Sequence, residues 1–263
     1  MSDPPFAPRV ALASLSGEAD AAWARAGSEY AGAAFLGGIA LDEQTRDAAR
    51  GLVARGREEF LPPDPTGFVA EQVAALADAP IRPAVNVRTT TLDPLARVAG
   101  ICAESDAIVE VNAHCRQDEM CRAGAGETLL AEVDRLCKQV ATASEQGAVV
   151  SVKVRTEVPG VDLPKLCARV ERAGADIIHI DAMDSEPVVG RVADATDCFV
   201  VANNGVRDRA TVREYLAHGA DAVSVGRPSD DPAVLARVRA ATAAWFEDSD
   251  AEYSHADRVG THP

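Results

Sequence analysis

The sequence predicts one closed eight-stranded β/α barrel, and three observations lead to this fold class. Eight short β-branched or apolar runs recur along the 263 residues. Ala-rich helical stretches separate these runs, and strands that alternate with helices favour a parallel sheet. Eight such units in about 250 residues match a (β/α)8 TIM barrel better than an open doubly wound sheet. The main alternative, a Rossmann-type sheet, would carry a GxGxxG turn directly after its first strand, and that turn is not there.

The elements can be placed in order along the chain. The predicted strands span residues 10–13, 33–36, 83–87, 107–112, 149–154, 176–181, 198–202 and 221–225. Gly174 and Gly219 end the helices before the sixth and eighth strands, as glycines after a helix C-terminus do. Residues 41–66 form the longest excursion and are interpreted as a lid over the strand ends. We expect one barrel domain over residues 1–246 and an acidic flexible tail over 247–263.

Composition restricts the function classes. There are 41 Asp and Glu against 26 basic residues, which gives a formal charge of -15. Only Lys138, Lys153 and Lys165 are lysines. Self-repulsion of this size is screened at about 1 M salt, so the composition favours a salt-adapted protein over an ordinary acidic one. No apolar stretch reaches the roughly 18 residues of a membrane span, and the N-terminus lacks a signal core, so a cytoplasmic location is expected.

The six cysteines are scattered without a CxxC pair, which argues against disulfides and zinc knuckles and indicates reduced thiols. His114, Cys115 and Cys121 lack the close ligand pairs of a metal site, so no metal is expected. Cys115 alone is open to two interpretations, a loop thiol without a role or a reactive group, because thiol reactivity depends on its surroundings.

Polar residues alternate with apolar ones in strands three to six. Because residues two apart face the same way, one face of each strand is apolar and the other is polar near its C-terminal end. The polar residues are Asn86, Arg88, Glu110, Asn112, Ser151, Lys153, Arg155, His179 and Asp181. The outer face must pack on helices, so the polar set points inward, where barrels carry their active sites. A ligand site is favoured over a polar plug of mutually paired groups such as Lys153 with Glu110.

The seventh and eighth strands end in Asn203-Asn204-Gly205 and Gly226-Arg227, and each leads into a helix, the first of which is capped by Asp208. Glycines let backbone amides approach an anion, and this pair of loops is a common phosphate site in barrels. The sequence therefore predicts a phosphorylated ligand at these loops.

The segment from Asn112 to Leu130 resembles the dihydrouridine synthase signature. It has an asparagine, two further residues, Cys115, and then a glycine-alanine-glycine loop that opens a helix with paired leucines, without a gap. Similar blocks occur at residues 13–20, 151–155, 202–205 and 225–227, so the resemblance covers roughly residues 8–245.

This resemblance implies an FMN enzyme that reduces the uridine C5–C6 bond in tRNA, with NAD(P)H reducing the flavin first. Cys115 would protonate the uracil ring, and Lys153 would stabilise negative charge on the reduced flavin. It implies cofactor-binding roles for Ala13, Ser14, Asn86, Asn112, Lys153, His179, Asp181, Asn204, Gly205, Gly226 and Arg227.

The chain departs from the family pattern in three places. Asp181 stands where the family has a histidine, Arg116 replaces a proline, and the C-terminal helical domain that grips tRNA is not expected here. An acidic surface repels a polyanion, so tRNA would need a local basic rim. The candidate rim residues are Arg88, Arg116, Arg122, Arg155, Arg207, Arg209 and Arg227. Two alternatives stay open, an FMN dehydrogenase of a small pyrimidine and a non-catalytic barrel that binds a phosphate ligand.

Overall fold

The computed structural model describes residues 3–259, with side chains described up to Glu247. Its eight strands form a closed parallel barrel in which each strand pairs with the next and β8 pairs with β1. The strands are β1 Val10–Leu12, β2 Ala33–Ala40, β3 Arg82–Arg88, β4 Ile108–Asn112, β5 Val149–Arg155, β6 Ile177–Asp181, β7 Phe199–Asn203 and β8 Ala222–Val225. The predicted fold class is confirmed.

The second strand differs most from its prediction, because β2 continues four residues further, to Ala40. The register with β3 shifts between Gly37 and Ile39, so this part of β2 carries a bulge. Gly38 has no room for a side chain, since a Cβ there would lie 2.7 Å from Oδ1 of Asn86. The bulge therefore lets β2 pass close to the polar end of β3.

Helices surround the barrel, and several begin at an aspartate whose side chain accepts a backbone N–H, as Asp208 does from Thr211. Their bounds are α1 Ala21–Gly27, α2 Glu43–Ala54, α3 Pro65–Ala74, α4 Leu92–Glu104, α5 Asp118–Arg122, α6 Thr128–Ala131, α7 Val133–Ser144, α8 Leu163–Arg172, α9 Pro187–Ala193, α10 Arg209–Ala217 and α11 Pro232–Val259, with a 3₁₀ helix at Arg227–Asp230. The backbone of α11 is helical through Val259 and so includes part of the predicted acidic tail, which stays a prediction, and residues 260–263 lie outside the described residues.

The inner face of the barrel changes from apolar to polar along the strands. Phe35, Ile108 and Ile177 belong to a buried apolar cluster toward the strand N-termini. Two residues further along the same face of their strands, Glu110 and His179 are fully buried polar residues. The alternation of side chains thus places a polar layer directly beneath the carboxyl end of the barrel.

The excursion over residues 41–66 contains α2 and a segment that packs on the strand ends. Phe60 forms a parallel bridge with Ile39, and Glu59 makes a 2.6 Å ion pair with Arg88 at the end of β3. Gly17 packs so closely on this segment that a Cβ would lie 2.6 Å from the Glu58 carbonyl carbon. These contacts make residues 56–60 a fixed wall beside the strand ends.

Candidate active site

A cavity of about 660 Å³ opens at the carboxyl end of the barrel, within the size range of small-molecule sites. Its walls come from the ends of β1, β3, β4, β5, β6 and β8 and from the segment 56–59. The lining residues are Ser14, Leu15, Ser16, Glu18, Gly56, Arg57, Glu58, Glu59, Arg88, His114, Cys115, Arg116, Gln117, Arg155, Asp181, Met183 and Arg227. The predicted lid segment is therefore part of the cavity wall.

Glu110 organises the polar layer below this cavity. Its carboxylate accepts hydrogen bonds from Asn86 Nδ2 at 2.6 Å and from Ser151 Oγ at 2.9 Å, and it lies 2.8 Å from Nδ1 of His179. Nε2 of His179 lies 2.8 Å from Ser224 Oγ. Burial alone would raise the pKa of Glu110, but His179, Lys153 and the hydrogen bonds outweigh it and lower that pKa. The layer is a buried network whose donors come from β3, β5 and β6.

His179 is thus held below the cavity, and the structure does not bring it to the cavity wall. Both ring nitrogens lie at hydrogen-bond distance from Glu110 and Ser224, and the side chain is fully buried. Burial lowers the pKa of His179, although the charge of Glu110 acts to raise it. A neutral imidazole that bridges these two groups suits a structural role in the network.

Lys153 lies deeper than its expected place at the barrel mouth. Its side chain is only 2% exposed, and its Nζ makes one long hydrogen bond, 3.5 Å to Oγ of Ser14. Burial lowers the pKa of Lys153, while the charges of Glu110 and Asp181 oppose that shift. The Lys153 amino group therefore lies beneath the cavity floor next to Ser14, which lines the cavity, whereas Ala13 is buried at the end of β1.

The Cys115 loop is fixed from both sides. Asn112 Nδ2 donates to Oδ1 of Asn86 at 2.8 Å, which turns Oδ1 of Asn112 toward the Cys115 amide at 3.0 Å. The Cys115 carbonyl accepts the Glu127 amide at 2.9 Å. Gly126 has φ +64° and leaves no space for a Cβ against the Cys115 carbonyl oxygen. The glycine-alanine-glycine loop thus holds the cysteine at the cavity wall.

The predicted arginine rim divides into buried and exposed members. Arg88 and Arg155 are buried and form ion pairs with Glu59 at 2.6 Å and Glu127 at 2.7 Å. Arg88 also donates to Ser16. These two arginines were expected at the rim, but their charges are neutralised inside the wall. The prediction was wrong for them because sequence alone does not show non-local carboxylate partners.

Three cavity arginines remain exposed, and we call Arg57, Arg116 and Arg227 the mouth arginines. No carboxylate among the described residues pairs with them. Arg57 was missed from the sequence, since it lies in the excursion and not at a strand end. Nearby, Arg55 binds Glu119 at 2.8 Å and joins the excursion to the Cys115 loop.

His114 and Asp181 form a pair across the cavity floor. Nε2 of His114 lies 3.4 Å from Oδ2 of Asp181. Burial lowers the pKa of His114 to about 4, although Asp181 acts to raise it. Burial would raise the pKa of Asp181, but His114, Lys153 and the Met183 amide lower it overall. At neutral pH the pair therefore consists of a neutral imidazole and an ionised carboxylate.

The two predicted phosphate loops lie opposite the Cys115 loop. Asn204 has φ +106°, and its side chain donates to the Met183 carbonyl at 2.8 Å, while Gly205 has φ +66°. A Cβ at Gly226 would meet nothing within 4 Å, so open space adjoins this residue. Of these loop residues, Arg227 lines the cavity.

Within the part of the chain that the structure describes, no group of three or more His, Cys, Asp or Glu side chains is arranged to hold a metal, and no helix is long and apolar enough to cross a membrane.

The fold and the site place this chain in the class of α/β-barrel proteins with an enzyme-like site. The site is a polar cavity at the strand ends, with one buried lysine and a loop cysteine. The family model of dihydrouridine synthases matches residues 79–260. The chain therefore belongs to the dihydrouridine synthase family, a family of flavin-dependent oxidoreductases, which supports FMN as the cofactor.

The individual proteins that resemble this chain share little sequence identity with it. An uncharacterized protein of Methanocaldococcus jannaschii is 26% identical over 232 residues, which cover 83% of this chain and 88% of that protein. FabK from Thermotoga maritima superposes with a TM-score of 0.54 at 18% identity, over 83% of this chain and 57% of that one. This chain thus spans less than two thirds of FabK. The 3-hexulose-6-phosphate synthase from Salmonella typhimurium gives a TM-score of 0.53 at 13% identity, over 91% of this chain and 99% of that one. These structural likenesses show the fold alone.

Proposed function

We propose that this chain is an FMN-dependent reductase of uracil rings that uses NAD(P)H, with uridine in tRNA as its substrate. The observation that carries the proposal is the placement of Cys115 and Lys153. Cys115 follows the end of β4 and lies at the wall of the cavity. Lys153 lies on the adjacent strand β5, beneath the floor of the same cavity.

The residues present fit a phosphorylated flavin. The buried Lys153 ammonium has one long hydrogen bond among the described side chains, so it has unused donors. A reduced flavin carries negative charge at its N1–O2 edge, which would satisfy these donors. Arg227 is exposed beside the open space at Gly226, and this suits a phosphate near the β8 loop. Ser14, Lys153, Gly205, Gly226 and Arg227 are the residues we expect to hold FMN.

Bound FMN would supply hydride transfer, and the chain itself must supply a proton. Cys115 is held by Asn112 and Glu127 at the cavity wall, where a thiol can donate to a ring carbon. A positioned acid of this kind contributes on the order of a hundredfold to ten-thousandfold in rate. The fixed loop backbone keeps that acid at one place on the cavity wall.

The mouth arginines support a nucleic-acid substrate. Arg57 in the excursion and Arg116 in the Cys115 loop are exposed at the cavity and have no carboxylate partner among the described residues. Phosphate contacts are what position a nucleic acid on a protein. These arginines are therefore suited to phosphates next to a uridine that enters the cavity.

One observation favours the second candidate, a small free pyrimidine. Glu18 and Glu58 are also exposed at the same mouth, and the whole chain carries a formal charge of -15. Both features repel a polyanion, and high salt weakens phosphate contacts further. A neutral small ring would not meet this repulsion.

Two measurements test the proposal. Titration with FMN in molar salt should quench flavin fluorescence and give a protein with a flavin absorption spectrum. A protein that stays colourless and does not quench FMN would contradict both flavin candidates. Nucleoside analysis of tRNA from a deletion strain then separates them, because only the first candidate predicts that dihydrouridine is lost.

A further inference from the structure

Arg55, at the end of α2, joins the excursion to the Cys115 loop through a two-point contact. Its Nε lies 2.8 Å from Oε1 of Glu119, and its Nη2 donates to Oε2 of the same carboxylate at 2.9 Å. Nη2 also donates to Oε1 of Gln117 at 3.3 Å. A guanidinium that meets both oxygens of one carboxylate fixes orientation as well as distance. We call the contact among Arg55, Gln117 and Glu119 the Arg55 clamp.

The clamp lies on top of an apolar contact between α2 and α5. Leu52 and Met120 belong to one buried cluster, and a Cβ at Gly51 would lie 3.4 Å from Cγ of Glu119. The side chains of Arg55 and Glu119 are 54% and 19% exposed. An ion pair at this exposure contributes little to folding stability. Removal of the clamp should therefore leave the fold intact.

Each side of the clamp carries one of the mouth arginines. Arg57 comes two residues after Arg55, and Arg116 directly precedes Gln117. Gly56 has φ +81°, so the chain turns directly after α2 and brings Arg57 to the cavity wall. Binding costs less conformational entropy when the contact points are already held in place. The clamp thus fixes the backbone segments that present Arg57 and Arg116.

Cys115 is held by other contacts. Its amide donates to Oδ1 of Asn112 at 3.0 Å, and its carbonyl accepts the Glu127 amide at 2.9 Å. The hydrogen bonds of Arg55 to this loop reach Gln117 and Glu119, which follow the cysteine. Opening the clamp should therefore affect the mouth arginines and leave the thiol in place.

We infer that the Arg55 clamp positions Arg57 and Arg116 for the phosphates of a polynucleotide, which makes Arg55 and Glu119 positioning residues for a nucleic-acid substrate. The inference rests on the proposed function and concerns how that site takes its substrate. The alternative is a simple effect of charge, in which Arg55 attracts the polyanion and Glu119 repels it. The two explanations predict different results when Glu119 is removed.

The test measures the binding of labelled tRNA by fluorescence anisotropy at one fixed salt concentration. The variants are Arg55→Ala, Glu119→Ala and the double variant, which has the net charge of wild type. Because the loss of either partner opens the clamp, all three should bind on the order of threefold to tenfold more weakly, with the double variant no weaker than the single ones. Charge alone would make Glu119→Ala bind more tightly and the double variant bind like wild type.

Two controls make the same changes in charge without opening the clamp. Arg50 is exposed on α2 and pairs with Asp47 of its own helix, and Asp118 is exposed beside Glu119. Arg50→Ala and Asp118→Ala should each change tRNA binding by about twofold or less. Thermal unfolding checks the fold of every variant. The rate at which iodoacetamide alkylates Cys115, measured on the tryptic peptide that ends at Arg116, should equal that of wild type throughout.

Tighter tRNA binding by Glu119→Ala, or wild-type binding by the double variant, would overturn the clamp and leave the proposed function standing. A changed alkylation rate of Cys115 in the clamp variants would also overturn it, because the clamp would then act on the acid and not on the arginines. A wild-type protein that binds FMN and no tRNA contradicts the nucleic-acid substrate and removes the inference with it.

Discussion

Lys153 is a buried lysine whose nearest hydrogen-bond partner is a serine hydroxyl at 3.5 Å. A lysine in such a place is rarely retained without an electrostatic role, since burial disfavours its charged form. Its depth below the cavity floor means that a ligand meets it only from above, through the space bordered by His114 and Asp181.

We predict that Lys153→Met folds and loses flavin reduction. Methionine fills a similar volume, and the carboxylate of Glu110 keeps its hydrogen bonds from Asn86 and Ser151. Thermal unfolding and the rate of flavin reduction by NAD(P)H are the measurements. If instead the variant unfolds and the wild type does not bind FMN, Lys153 belongs to a structural plug of mutually paired polar groups. Lys138→Met, at an exposed position on α7, is the control.

Cys115 and Cys121 offer a matched pair of thiols. Cys115 lines the cavity, whereas the thiol of Cys121 lies behind it and contacts the Cys115 carbonyl at 3.6 Å. We expect Cys115→Ala to slow product formation on the order of a hundredfold or more and to leave flavin binding intact. Cys121→Ala should stay near wild type. Equal dihydrouridine in tRNA from both strains, at the wild-type level, would remove Cys115 from the mechanism.

The loop between β4 and α6 is the element on which the site depends most. Gly126 has φ +64° and contacts the Cys115 carbonyl, so a side chain there must displace the cysteine. Gly147 has a similar φ of +80°, yet a Cβ there meets nothing within 4 Å. An alanine at either position would be forced into an unfavourable positive φ. Only at position 126 would its Cβ also collide with the Cys115 carbonyl.

We predict that Gly126→Ala lowers product formation about a hundredfold, because a displacement of about 1 Å in a reacting group has costs of this order. Gly147→Ala should cost about 1–2 kcal/mol of folding free energy and leave the turnover rate unchanged. Steady-state rates and thermal unfolding of both variants provide the comparison. Equal rates would show that the loop adapts to the added methyl group.

A second element-scale feature is the connection between β2 and α4 through Asp42. Its carboxylate caps α2 at Thr45 and accepts hydrogen bonds from Thr89 and Thr91, and also from Thr90. Burial would raise the pKa of Asp42, but these hydrogen bonds outweigh it and hold the pKa at about 2, below the ordinary 3.8. The ionised carboxylate therefore stabilises the junction of the two strand ends.

We predict that Asp42→Asn loses about 2 kcal/mol of folding free energy at neutral pH, following the size of the pKa shift. Because the folded-state pKa is depressed, this stability is complete above the unfolded value of about 4 and is lost as the pH falls through about 2. Chemical denaturation of both proteins at several pH values measures the difference. A gap that stays constant down to pH 2 would show that charge is not the cause. Asp64→Asn, at an exposed cap with one backbone bond, is the control.

On the scale of the whole molecule, a chain of formal charge -15 must bind an anionic substrate through local features. We predict that Arg57→Gln and Arg116→Gln each weaken RNA binding and reduce the slope of log K against log salt by about 0.7–0.9 per lost phosphate contact. The measurement is fluorescence anisotropy of labelled tRNA over a salt series. Glu58→Gln should act in the opposite direction and strengthen binding.

Arg97→Gln, on the exposed side of α4, controls for the change in net charge and should leave the slope unchanged. A wild-type protein with no salt-dependent RNA binding would direct the function toward a small pyrimidine. The expected adaptation to high salt stays a prediction.

The sequence was informative about features that depend on residues close together in the chain. The alternation in β3 to β6 identified the inward polar set, and the glycine-rich loop after Cys115 identified the site loop. The depth of each side chain below the cavity and its hydrogen-bond or ion-pair partners were not predictable, because they depend on contacts between residues distant in the sequence. Arg88 was expected at the rim and instead meets Glu59 from the excursion. His114 was considered only as a metal ligand, and its contact with Asp181 needs the barrel to be closed.

The network around Glu110 has a consequence for how this sequence can diverge. Asn86, Ser151 and His179 contact its carboxylate directly, and Ser224 is joined to it through His179. Replacing one member alone leaves a buried group without a partner, a cost of about 1–3 kcal/mol that a compensating change at another member can remove. We therefore expect these five positions to covary during evolution, so that homologues which lack the glutamate also lack the histidine. A lineage that keeps the histidine with an apolar residue at position 110 would show that the positions evolve independently.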